Sequence, residues 1–177
     1  MQPRDPVAAV REAFPGAVVE VVEFRGETTL VIQADKIAEV ATFLRDGDGL
    51  KYNFLVDVTG VDYLPDYPRF GVLYHLYSML TNRRLALKVR LGQEDDEDEA
   101  LVVPSVTGVW PTANWQEREV FDMFGIRFAG HPDLRRILMP ADWDGYPQRR
   151  DYPLGYETVQ FSFNYDEIQK HKPFAKE

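Results

Sequence analysis

The sequence contains no cysteine. That absence removes disulfides, thiol nucleophiles, cysteine-ligated zinc and ordinary iron–sulfur ligation together. Histidine is nearly as scarce, with only His75, His131 and His171, so a metal site would have to lean on carboxylates. No HExxH or ExxH pair exists to build zinc or di-iron chemistry, and no GxGxxG or GxxxxGK loop exists to cradle a nucleotide. A glycine-flanked serine for a Ser-His-Asp site is missing too. No apolar run reaches the ~18 residues that a membrane-spanning helix needs. The opening MQPRDPVAAVREAF lacks the apolar core of a signal peptide. The chain is therefore expected to stay in the cytoplasm, with a membrane-bound partner left open. A formal charge of −9 argues against binding nucleic acid through its phosphates.

What is present suits one folded domain. The 177 residues are 28% charged and 45% hydrophobic, ordinary for a soluble protein with a real core and room for an arm or tail. The charge is uneven. Residues 1–125 carry 12 Lys and Arg against 21 Asp and Glu, whereas residues 126–177 carry 8 against 8. An acidic body is followed by a neutral, arginine-punctuated end, and the two are expected to meet different surroundings.

Local patterns supply the elements. Asp5-Pro6 followed by Val7, Val10 and Phe14 reads as a capped helix that Pro15-Gly16 stops. AVVEVVEF and TTLVIQ, separated by Arg25-Gly26-Glu27, read as a hairpin. Asp35 is expected to cap a second helix, whose apolar face is Ile37, Val40, Ala41 and Leu44 and whose stop is Gly47. YNFLVDVTGVDY and RFGVLYHLYSML are strand candidates divided by LPDYP. In RLALKVRL, Leu85, Leu87, Val89 and Leu91 alternate strictly with Arg84, Ala86, Lys88 and Arg90, a strand with one buried face. This α-β-β-α-β-β-β order predicts a two-layer α+β domain, with helices on one face of a mainly antiparallel or mixed sheet. GQEDDEDE (92–99) reads as a solvated loop; it lacks the glycine and glutamate spacing of a calcium-binding EF-hand loop.

From Asn114 the pattern becomes helical, with Trp115, Val120, Phe121, Met123 and Phe124 apolar and Gly125 ending the run. Asn114 and Glu117 resemble a capping arrangement, and Arg118 and Asp122 stand at i, i+4 and are expected to pair. Beyond residue 126 the period disappears. Prolines at 132, 140, 147, 153 and 173 punctuate aromatic and arginine residues, the texture of an arm laid over another surface. The expected division is 1–125, an α+β domain with its closing helix, and 126–177, an extended C-terminal arm contacting partners.

EREVFDMFGIRFAGHPDLRRIL (117–138) concentrates the residue types of an active site. Glu117, Glu119 and Asp122 are candidate paired carboxylates, but the ion-paired surface of a helix is the commoner use of such a pattern. His131 sits in a glycine–histidine–proline turn, where bonding to backbone groups is the usual role. Arg135-Arg136 and Arg149-Arg150 suit a phosphate or carboxylate clamp, or the charged anchors of a protein interface. Trp143, Tyr146, Tyr152 and Tyr156 around them favour the interface.

The same segment closely resembles the signature of the 30-kDa subunit of respiratory complex I, the C subunit of bacterial NADH:quinone oxidoreductase. Glu117, Arg118, Glu119, Asp122, Met123, Phe124, His131, Arg135 and Ile137 fill its fixed positions. GYPQRRDYPLGYE (145–157), with Arg149, Arg150 and Asp151, looks like the family's continuation, and FLVDVTGVDYL like its middle portion. The resemblance implies a peripheral-arm subunit with no catalytic group, cofactor or metal of its own, FMN and iron–sulfur clusters belonging to other subunits. It implies neighbours in the 49-kDa subunit, along which the arm would lie, and in the subunit carrying the terminal iron–sulfur cluster. It places the chain on the cytoplasmic side of the cell membrane, in contact with the membrane only through the complex. The signature and interface residues are then Glu117, Arg118, Glu119, Asp122, His131, Arg135, Arg136, Arg149, Arg150 and Asp151. The alternative is the same scaffold role in a relative of the complex fed by ferredoxin, F420H2 or a hydrogenase.

Overall fold

A computed structural model describes residues 3–93 and 100–153. Helix α1 (Pro6–Ala13) starts as expected: the Asp5 carboxylate accepts from Val7 and Ala8 N–H at 3.2 Å each, and proline occupies the first turn, where no N–H is needed. Strands β1 (Val18–Phe24) and β2 (Glu27–Ile32) form the hairpin. Its two turn residues, Arg25 and Gly26, both adopt positive φ (51° and 80°), the turn whose twist matches the flanking strands. Helix α2 (Ile37–Asp46) buries Ile37, Val40, Ala41 and Leu44 completely.

Asp35 does not cap α2. A single 3-10 turn, Ala34–Lys36, leads into the helix, with Lys36 N–H bonded to the Gln33 carbonyl at 3.0 Å. Backbone carbonyls in the approach thus do what the side chain was expected to do. Gly47 does stop the helix, its N–H bonding the Phe43 carbonyl at 2.8 Å.

Strands β3 (Phe54–Asp62), β4 (Phe70–Ser78) and β5 (Arg83–Leu91) complete a five-stranded sheet in the order β1-β2-β5-β4-β3. All neighbours are antiparallel except β2 and β5, so the sheet is mixed. Register lines Leu30, Leu87, Tyr74 and Val58 across one face, and Leu85, Val89, Val72 and Leu76 join them in the core. The helices pack there, giving the α+β fold expected. The LPDYP connection between β3 and β4 contains two cis peptides, Leu64-Pro65 and Tyr67-Pro68.

Two short parallel strands, β6 (Val102–Pro104) and β7 (Arg127–Ala129), flank helix α3 (Ala113–Phe124) in the chain. Helix α3 lies against β3, and Gly60 is what lets it approach: a Cβ there would stand 2.4 Å from the Phe124 ring. Gly60→Val is expected to lower stability by about 2 kcal/mol or more through overpacking, measurable by denaturant titration.

The boundary expected after Gly125 is not where the fold ends. Gly125 does close α3, in the left-handed region at φ 79°. Ile126 and Phe128 then enter the main core, and β7 pairs with β6. The absence of period reflects a strand of three residues followed by turns, too short for alternation to show.

Candidate functional site

The signature residues converge on α3 and the segment behind it, but their contacts differ from those the spacing predicts. Glu117 is no capping residue. Its side chain is completely buried, with Oε1 accepting from Val106 N–H at 2.7 Å and Oε2 bonded to the Ser105 hydroxyl at 2.6 Å. The start of α3 is served by backbone instead: Ala113 N–H meets the Trp110 carbonyl at 3.0 Å and Asn114 N–H the Pro111 carbonyl at 3.3 Å. Burial pushes the Glu117 carboxyl up to about 7, against the opposing pull of Ser105 and Val106.

Arg118 and Asp122 do not pair. Arg118 donates to the Arg135 and Arg136 carbonyls at 3.0 Å each, and its guanidinium lies 5.2 Å from the exposed Trp115 ring centre. Asp122, fully buried, accepts four donors from the following segment. Oδ2 takes the N–H groups of Ile137, Leu138 and Met139 at 3.0, 2.8 and 2.8 Å, and Oδ1 takes Arg136 at 2.7 Å. Burial alone would raise the Asp122 carboxyl; the Met139 N–H, Arg136 and the other two N–H groups outweigh it and hold it below the ordinary value.

His131 is tied down through both ring nitrogens. Nδ1 accepts Asp133 N–H at 3.0 Å, which leaves Nε2 as the donor to the Asn114 carbonyl at 3.1 Å. That is the structural role expected of a histidine in this turn.

The arginines expected as interface anchors mostly fasten the chain to itself. Arg136 reaches the Trp143 and Gly145 carbonyls at 3.1 and 2.9 Å as well as Asp122. Arg149 donates to the Phe124 carbonyl at 2.7 Å and lies over the Tyr146 and Phe70 rings. Arg150 bonds the Leu64 carbonyl through its guanidinium and Asp62 through its N–H at 2.8 Å. Asp151 holds Arg69 at 2.7 and 2.9 Å, and Arg69 in turn forks onto Asp62 at 2.8 and 3.0 Å. Residues 126–153 are thus laid back on their own domain. The reason is that their backbone turns present donors and carbonyls that α3 and the β3–β4 connection can satisfy. The Arg135 side chain remains largely outside, paired with Asp133 at 2.7 Å. Tyr156 and the rest of the expected arm, residues 154–177, lie outside the described residues, as do residues 94–99 of the acidic loop.

Ser105 and Val106 carry no distinguishing mark in the sequence. Asp62 and Arg69 flank the LPDYP connection, a local signal for an ion pair, but no spacing points from either to Asp151. Among the three carboxylates of α3 only Glu119 is exposed, lining a small recess with Thr59, Gly60 and Gln148 and without a hydrogen-bonding or ionic partner among the described residues. Glu119 and Asp122 therefore face different environments, and no paired-carboxylate cleft forms. No group of three or more metal-ligating side chains stands together among the described residues, and no helix there is long and apolar enough to cross a membrane. Chemically, the arrangement is a joint: α3 is the hub, and its buried acids and neighbouring arginines fix the chain on either side.

Comparison with known proteins agrees with the motif. Residues 30–158 match the family described as the respiratory-chain NADH dehydrogenase 30 Kd subunit. The chain belongs to this family. A relative from Roseiflexus sp. (strain RS-1), named as the C subunit of NADH-quinone oxidoreductase, is 52% identical over 95% of this chain and 94% of its own length. One of the same name from Herpetosiphon aurantiacus is 45% identical over the same shares. Among solved structures, the trypsin-resistant fragment (1–134) of Nqo5 superposes with a TM-score of 0.60 and 32% identity, covering 73% of this chain and all of the fragment. The α+β domain of this 30-kDa-family chain, with its mixed five-stranded sheet, is accordingly the fold of its relatives.

Proposed function

We propose that the chain is a non-catalytic peripheral-arm subunit of NADH:quinone oxidoreductase, complex I. It supports assembly of the quinone-reducing module that couples electron transfer from NADH to quinone with proton translocation. One observation carries this reading. The buried Glu117 and Asp122 and the half-buried Arg136 of the signature are all engaged within the chain, so among the described residues these groups brace an outer surface and line no reacting cleft. That surface presents Trp115, Leu138, Trp143 and Arg135, together with the partly exposed Arg118. Exposed aromatics and arginine are the residue types enriched where proteins meet. The partners are then the 49-kDa-type subunit and the subunit carrying the terminal iron–sulfur cluster, on the cytoplasmic side of the cell membrane. FMN and iron–sulfur clusters reside in other subunits.

A tagged copy recovered from gently solubilised membranes tests this. The 49-kDa-type and cluster-bearing subunits are expected in stoichiometric amounts, with the NADH-oxidising subunits behind them. Recovery of the chain alone, or with a stoichiometric flavin or cluster bound to it, would overturn the proposal. Companions of a ferredoxin- or hydrogenase-type complex would keep the scaffold role and change the electron donor.

A further inference from the structure

Glu117 has no cation bonded to it among the described residues. Both of its oxygens meet neutral donors, Val106 N–H at 2.7 Å and the Ser105 hydroxyl at 2.6 Å. The Ser105 oxygen lies 2.8 Å from the Thr107 hydroxyl and also accepts Thr107 N–H at 3.1 Å. Glu117 is completely buried, Ser105 and Thr107 are half-buried, and Gly108 beyond them is exposed. Three side-chain oxygens therefore form a continuous line from the core towards the surface. We propose that Ser105 and Thr107 are a hydroxyl relay through which Glu117, the first residue of the signature, exchanges a proton with solvent.

A hydroxyl donates one hydrogen bond and accepts two, so the line is fully satisfied in either sense. With Glu117 ionised, Thr107 donates to Ser105 and Ser105 donates to the carboxylate. With Glu117 neutral, the carboxyl O–H donates to Ser105 and Ser105 donates to Thr107. In both states the Thr107 N–H takes the remaining lone pair of Ser105. Uptake converts the first state into the second. Thr107 oxygen accepts a proton from a hydronium ion or buffer acid, and its own proton passes to Ser105 oxygen. Ser105 passes its proton to Oε2. One O–H bond forms at Glu117, both hydroxyls end neutral, and the net change is one proton taken from solvent.

The surroundings leave both states accessible. From β4 the Tyr74 hydroxyl is buried without a hydrogen-bonding partner among the described residues, and it stays neutral because burial, and then the charge of Glu117, raise it. On α3 itself Arg118 is turned to the Arg135 and Arg136 carbonyls, and Glu119 is exposed. From behind β7, His131 docks on the Asn114 carbonyl, one turn earlier. None of these compensates a charge on Glu117. With the carboxyl raised to about 7 by burial, protonated and ionised forms coexist near neutrality.

Infrared difference spectra of the full chain across the neutral range, in light and heavy water, test the relay. Wild type is expected to show a protonated-carboxyl band that disappears as pH rises and is missing in Glu117→Gln. Thr107→Val keeps the Glu117–Ser105 bond but cuts the path, so deuterium exchange at that carboxyl should slow severalfold while the titration midpoint stays put. Ser105→Ala should slow exchange as well and move the midpoint upward, because the ionised form loses a donor. A Glu117-dependent band that is absent at every pH would overturn the proposal. So would exchange that is equally fast in wild type, Ser105→Ala and Thr107→Val.

Discussion

Replacing Asp122 by alanine is expected to destabilise the chain by about 4 kcal/mol, in the range seen when one partner of a buried, hydrogen-bonded charge pair is removed. The carboxylate is completely buried and accepts from Arg136 and from three consecutive backbone N–H groups. Alanine leaves all four donors without it at once, and each unsatisfied buried donor carries a penalty of about 1–3 kcal/mol that is not additive. Amide exchange at residues 137–139 should accelerate most, since those N–H groups lose their acceptor directly. Asp122→Asn keeps an acceptor oxygen but removes the charge facing Arg136, so it should be milder. The Asp122 carboxyl is held below its unfolded value, so its contribution is present above that value and fades as pH falls through the folded one. The alanine and wild-type curves should therefore converge in strong acid. Denaturant unfolding of both proteins over that range is the check, and parallel curves would contradict the assignment.

Glu117 should act in the opposite direction. Its folded carboxyl is raised from 4.5 to about 7. Below the unfolded value both states hold the proton and nothing is lost. As pH rises from the unfolded value to the folded one, the unfolded chain releases its proton first, and stability falls by about 3 kcal/mol in all by the time the folded value is passed. Glu117→Gln keeps the shape and can donate to Ser105 while accepting from Val106, without a charge to bury. The variant is expected to match wild type below the unfolded value of 4.5 and to be the more stable of the two by about 3 kcal/mol in mild alkali. Since both chains share every other titrating group, the difference between their stability curves isolates Glu117. A difference that does not change with pH would show that folding does not raise the Glu117 carboxyl.

These two acids mark the division between what was legible in the sequence and what was not. Where a residue answers to neighbours within a turn or two, pattern reasoning succeeded: Asp5 caps α1, Arg25-Gly26 turns the hairpin, and the faces of α2 and β5 point inward as their periods require. Where the partner is distant in sequence, local rules chose the nearest candidate and were overruled. Arg118 stands four residues from Asp122, yet Asp122 is buried beneath residues 136–139 and takes its donors there. Glu117 looked like part of a cap because Asn114 stands three residues before it; burial against Ser105 and Val106 decided otherwise. The Arg150 amide meets Asp62 across 88 residues, a pairing no spacing rule reaches. The motif located the joint, and only the fold revealed which groups it joins.

The central claim is that the signature residues hold the subunit and its neighbours in place and do not act on quinone. Glu119 is the sharpest probe, being the one carboxylate of α3 that is exposed and without a partner among the described residues. The measurement is quinone-reductase turnover divided by the amount of assembled complex, in membranes carrying Glu119→Gln. The account predicts that any loss of activity follows the loss of assembled complex, with turnover per complex near that of wild type. A severalfold fall in turnover per complex, with assembly intact, would contradict it and return Glu119 to the chemistry.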